Sequence, residues 1–115
     1  MDGHGPVLEV TPERTPDGVS LRLNGEIDVA TSSHLPEIVR ALPAHLVRHV
    51  RLNLAGLTFV DAAGLTALIE TRALVQSRGG RLSLQDPRPA LVRLLEITNL
   101  AATFGVGTAT HADKR

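Results

Sequence analysis

The sequence predicts a single α/β domain whose mixed, mostly parallel sheet carries its helices mainly on one face. Three observations lead there. From residue 19 onward, short alternating segments are interleaved with apolar stripes at helical spacing, an order that implies parallel strands joined by right-handed crossovers. A Pro-Asp-Gly turn ahead of the first of these segments adds one antiparallel edge strand. The three main strands also alternate apolar with polar residues, whereas parallel strands covered on both faces read as continuous apolar runs. Arg22, Arg51, Asn53, Ser83 and Gln85 therefore mark a wet face opposite the helices.

Taken in order, residues 1–6 contain Gly and Pro and read as a disordered N-terminal tail. Residues 7–10 form a short strand, and Thr15, Pro16, Asp17 and Gly18 form a turn. Residues 19–24 form the second strand of a hairpin, closed by Gly25, Glu26, Ile27 and Asp28. Thr31, Ser32 and Ser33 offer N-cap side chains to a helix whose stripe is Leu35, Ile38, Val39 and Leu42, ended by Pro43. Residues 50–54 alternate as a strand that Ala55 and Gly56 break. After Phe59 and Val60, Asp61 caps a helix with an inner face of Leu65, Leu68 and Ile69, ended by Arg78, Gly79 and Gly80. Residues 81–85 are the next strand. Asp86 to Pro89 open a helix containing Leu91, Leu94 and Leu95, which Asn99 stops. Residues 100–106 are read as a last short strand, and residues 107–115 as a polar C-terminal tail.

Composition excludes several functions. Twelve basic and twelve acidic residues cancel, removing the long-range pull behind nucleic-acid or anionic-membrane binding. Two Phe with no Tyr or Trp leave no platform for base stacking. The absence of Cys removes disulfides, thiolate metal sites and thiol nucleophiles. No secretory signal or membrane-length apolar run is present, so a cytoplasmic, bacterial setting without membrane insertion is expected.

Enzymatic motifs are weak, and no cofactor or metal is expected. His45 and His49 have i, i+4 spacing, but Pro43 before them and a strand after them make them solvated loop histidines. Gly105, Val106 and Gly107 are only a fragment of a nucleotide-binding loop. Ser33, His34 and Asp28 could be assembled into a triad on paper only. The more unusual places are two strand-to-helix junctions, residues 25–31 and 59–65, each placing an Asp just past a strand end. Helix capping explains either Asp alone, at about 1 kcal/mol. Two at neighbouring crossovers, on the edge where open α/β sheets bind ligands, point to a recognition surface.

Gly25-Glu26-Ile27-Asp28, then Leu57-Thr58-Phe59-Val60-Asp61-Ala62-Ala63-Gly64-Leu65, then Gly79-Gly80 before a strand, resemble the STAS domain family. The family comprises the anti-sigma factor antagonists and related domains of sulfate transporters, and the resemblance spans residues 7–106. It implies a STAS-like α/β fold and a non-enzymatic, protein-binding role in bacterial partner switching. The expected partner is an anti-sigma factor that is also a serine kinase, with no direct contact to nucleic acid. The partner-binding residues so implied are Asp28, Thr31, Asp61, Ala62, Ala63, Gly64 and Leu65.

Family members usually carry Ser or Thr one or two residues after the second-motif Asp. Phosphorylation there adds about −1.5 to −2 charge beside two carboxylates. Here both positions are Ala, so the usual phosphoacceptor is replaced by Ala63. Thr66 is a candidate substitute acceptor, although a backbone-bonded helix Thr explains it as well. Thr31 and Ser32 are further hydroxyls that capping accounts for. The resemblance also implies a final helix, for which residues 107–115 have too few apolar groups; a less covered sheet or last strand would favour a homodimer or a different partner. An alternative is a STAS-like accessory subunit of a membrane transporter complex, which needs the fold without the phosphate. A nucleotide or lipid binder using the wet face has the fold alone in its support.

Overall fold

The computed structural model describes residues 7–106, so the two expected tails and Gly107 lie outside the described residues. The elements are β1 (Leu8–Thr15), β2 (Gly18–Ile27), α1 (His34–Ala41), α2 (Ala44–Val47), β3 (His49–Val60), α3 (Ala62–Ser77), β4 (Arg81–Gln85), α4 (Pro89–Ile97) and α5 (Ala101–Phe104). Strands lie in the order β1-β2-β3-β4. β1 runs antiparallel to β2, while β2, β3 and β4 are mutually parallel. The fold is the single α/β domain with a mixed, mostly parallel sheet that the alternation implies.

One face of the sheet builds the core. Leu21, Leu23, Leu52 and Leu54 are fully buried from the strands, and Leu35, Val39, Leu68 and Leu95 meet them from the helices. Each such side chain contributes about 1.5–3 kcal/mol on burial. The core is aliphatic except for Phe104, since Phe59 is 48% exposed. On the other face, Arg22 and Gln85 are exposed while Ser20, Arg51, Asn53 and Ser83 are half-buried. Among the described residues no helix is long and apolar enough to cross a membrane.

β1 extends through Pro12 to Thr15, as an edge strand can where the missing N–H faces outward. Ala55 and Gly56 do not break β3, which continues to Val60. The irregularity they cause is absorbed as a register shift against β2, with Ala55 N bonded to Asn53 Oδ1 at 3.1 Å and the Asn24 side chain filling the space beside Gly56. β3 pairs with β4 only over His49–Asn53; its last half borders α4 instead.

His45 lies exposed on the short α2, and His49 is a buried strand residue rather than a solvated loop one. The inner face of α3 is Gly64, Ala67, Leu68, Thr71 and Val75, whereas Ile69 points outward at 43% exposure. The small residues set the face because they let the helix approach the sheet. The expected last strand is instead α5, whose end is closed by Gly105 in the left-handed region (φ 71°) and by Val106 N bonding to Ala101 O at 2.9 Å.

Candidate functional site

The parallel register pairs Ile27 with Val60, so β2 and β3 end side by side and deliver Asp28 and Asp61 to the same edge. Asp61 N donates to Ile27 O at 3.3 Å, tying the two junctions together. Asp61 is the N-cap of α3, its Oδ1 accepting from Gly64 N at 2.9 Å. Gly64 is buried against the Ile27 carbonyl, and a Cβ there would overlap it. The first turn of α3 therefore rests on the end of β2.

Asp28 works inward. It is 8% exposed, and its Oδ1 accepts from Ala30 N at 2.9 Å and Thr31 N at 3.2 Å. Thr31, 3% exposed, donates from Oγ1 to Glu26 O at 2.8 Å and accepts from Asp28 N at 3.0 Å. These bonds fold residues 28–31 into a closed turn, and α1 starts only at His34. Ser33 occupies the N-cap position of α1, yet its side chain makes no capping bond.

The surface presented by the edge is mostly apolar or small. Val29 is 81% exposed, and Ala30 and Ala62 are exposed with it. Ala63 and Leu65 are half-buried. Ser32, Ser33, Ala63, Thr66, Ala67 and Glu70 line a groove of about 280 Å³ between the segment leading into α1 and helix α3. The Thr66 hydroxyl, although exposed, donates to Ala62 O at 3.0 Å. Beside the edge, Phe59, Leu57, Val60, Leu91, Leu94 and Arg88 help line a second cleft of about 300 Å³. Arg88 Nε donates to Ala55 O at 2.9 Å across it.

No hydrogen bond joins Ser33, His34 and Asp28 among the described residues. Nor do three or more His, Cys, Asp or Glu side chains gather as a metal site among those residues.

One cluster escaped the sequence reading. At the opposite end of the sheet, Arg51 grips Asp17 through Nη1 to Oδ1 at 2.9 Å and Nη2 to Oδ2 at 3.0 Å. The guanidinium holds the Asp17 carboxyl well below the usual carboxylate range. His49 Nδ1 lies 3.4 Å from Asp17 Oδ2, and its Nε2 lies 2.8 Å from Ser83 Oγ. Burial lowers the His49 pKa, opposed by the Asp17 bond and reinforced by Arg51 and Arg81. The sequence signal was only the alternation that puts His49 and Arg51 on one face of their strand; the pairing of Arg51 with Ser83 came from the structure.

The family model described as "Mlab, STAS domain" matches residues 10–106, and the chain belongs to the STAS domain family. The chain is 29% identical over 94 residues to an anti-sigma F factor antagonist of Paenibacillus polymyxa, covering 81% of this chain and 80% of that protein. It is also 29% identical over 93 residues to an anti-sigma-B factor antagonist of Bacillus subtilis, covering 81% and 84%. The anti-sigma factor antagonist SpoIIAA, solved in unphosphorylated form, has the same fold, with TM-score 0.68 and 22% identity over 82% of this chain and 84% of that one. SpoIIAA has also been solved phosphorylated.

Proposed function

We propose that the chain is a protein-binding module of the anti-sigma factor antagonist type, acting in the cytoplasm on an anti-sigma factor that is also a serine kinase. The observation that carries this reading is the edge where β2 and β3 end together, with Asp28 and Asp61 bracing a surface of exposed Val29, Ala30 and Ala62. Its relatives' names supply the partner class. Asp28 and Thr31 shape the edge from within, Gly64 permits the close seat of α3, and Ala62, Ala63 and Leu65 contact the partner.

Neither Ala62 nor Ala63 can accept a phosphate, so the bound state is not switched off there. Purified chain mixed with a candidate anti-sigma kinase and ATP tests this by calorimetry and mass spectrometry. A complex forms and residues 61–65 stay unmodified, while Ala63→Ser gains a phosphate and loses affinity. Failure to bind any anti-sigma kinase of its own cell overturns the reading, and phosphate-dependent release through Thr66 overturns the loss of the switch.

The missing hydroxyls equally favour a second reading, an accessory subunit of a membrane transporter that needs no phosphate. Affinity capture from the native host separates the two: a transporter ATPase is recovered in one case, an anti-sigma factor in the other.

A further inference from the structure

Far from the docking edge, three side chains from three elements stand in the order nucleophile, base and orienter. Ser83 on β4 places Oγ 2.8 Å from Nε2 of His49 on β3. His49 Nδ1 faces Asp17 Oδ2 in the β1–β2 turn at 3.4 Å. Asp17 is ionised, because Arg51 grips it with two nitrogens. An ionised carboxylate only accepts hydrogen bonds, so the ring proton lies on Nδ1. Burial keeps the ring neutral at pH 7, which leaves the Nε2 lone pair to accept from the Ser83 hydroxyl. The charged groups facing the ring are Asp17 from the turn, Arg51 from β3 and Arg81 from β4.

We propose that Ser83 is an activated nucleophile that takes an acyl group from an activated ester, with His49 as general base and Asp17 orienting the ring. Oγ attacks the ester carbonyl carbon while its proton passes to His49 Nε2. The bond from that carbon to the leaving oxygen then breaks, and the leaving group departs with the proton returned by Nε2. Acyl-Ser83 and a free alcohol or phenol result, so atoms and charge balance. Ser83 is half-buried on the sheet face opposite the helices, which makes it an acceptor modified once rather than a centre of rapid turnover.

The test uses the full chain, p-nitrophenyl acetate and peptide mass spectrometry. Acetyl accumulates on Ser83 at least ~100-fold faster than on Ser77, the scale of a positioned base. Ser77 is the internal control because, among the described residues, its hydroxyl bonds Leu74 O at 2.8 Å and no histidine. The Ser83 rate falls on acidification with a midpoint below 6.5, the ordinary histidine value. Ser83→Ala removes this label, and His49→Gln and Asp17→Asn slow it, with melting curves reporting their folds. Equal labelling of Ser83 and Ser77 overturns the proposal. So does a folded His49→Gln that labels at the wild-type rate; if His49→Gln unfolds, the same result in Asp17→Asn, or a rate flat with pH, overturns it.

Discussion

The carbonyl oxygen of Ile27 occupies the space a side chain on Gly64 would need, so the first turn of α3 lies directly on the end of β2. That contact sets the helix height and lets Asp61 N reach Ile27 O. Gly64→Ala must push helix and strand apart. The expected loss is about 1–3 kcal/mol in urea denaturation, the usual range for overpacking a tight site.

Asp61 separates capping from recognition. Asp61→Ala removes the bond to Gly64 N and lowers stability by about 1 kcal/mol. Asn caps nearly as well, so Asp61→Asn retains the fold. If Asp61→Asn also binds the partner with wild-type affinity, the residue acts as a brace; a loss of affinity at unchanged stability means that the carboxylate touches the partner.

Val29 and Thr31 lie two residues apart in opposite environments, one exposed and one buried. Val29 is 81% exposed, so Val29→Asp changes stability by no more than about 0.5 kcal/mol, yet it lowers partner affinity at least ~10-fold in a binding titration. Thr31→Val keeps the shape but strips two bonds from a buried turn, at about 1–3 kcal/mol in denaturant melts.

Two steps are expected when the melting temperature is followed from pH 8 downward. The fold holds His49 below its ordinary 6.5, favouring the neutral ring. The unfolded chain therefore takes up protons first, and stability falls as pH drops below 6.5. Asp17 is held below 3.8, so its contribution is complete above that value and disappears as pH falls through the lower folded value. His49→Gln flattens the first step and Arg51→Ala the second. Salt weakens the second step, because Asp17 is 46% exposed.

The one-sided sheet was legible because Leu21, Leu23, Leu52 and Leu54 alternate with polar residues, a pattern only a half-covered sheet tolerates. The placement of Asp28 and Asp61 at one edge was legible because each follows a strand end, and successive parallel strands end at one edge. The burial of Asp28 was not, since it depends on Thr31 turning back toward Glu26 rather than capping α1. Residues 101–104 are too few for periodicity to separate helix from strand, and Gly105 and Val106 decide the matter through their backbone bonds. The cluster around His49 spans 32 residues to Asp17 and 34 to Ser83, so it emerges only once register is known.

β3 is twelve residues long, but β4 accompanies only its first five. The remainder faces α4 across a cleft instead of a partner strand, and an uncovered strand edge is the kind of feature on which identical chains can zip together. Arg88 stands across it with its guanidinium on the Ala55 carbonyl. A strand added here would have to displace that bond and enter the cleft against α4.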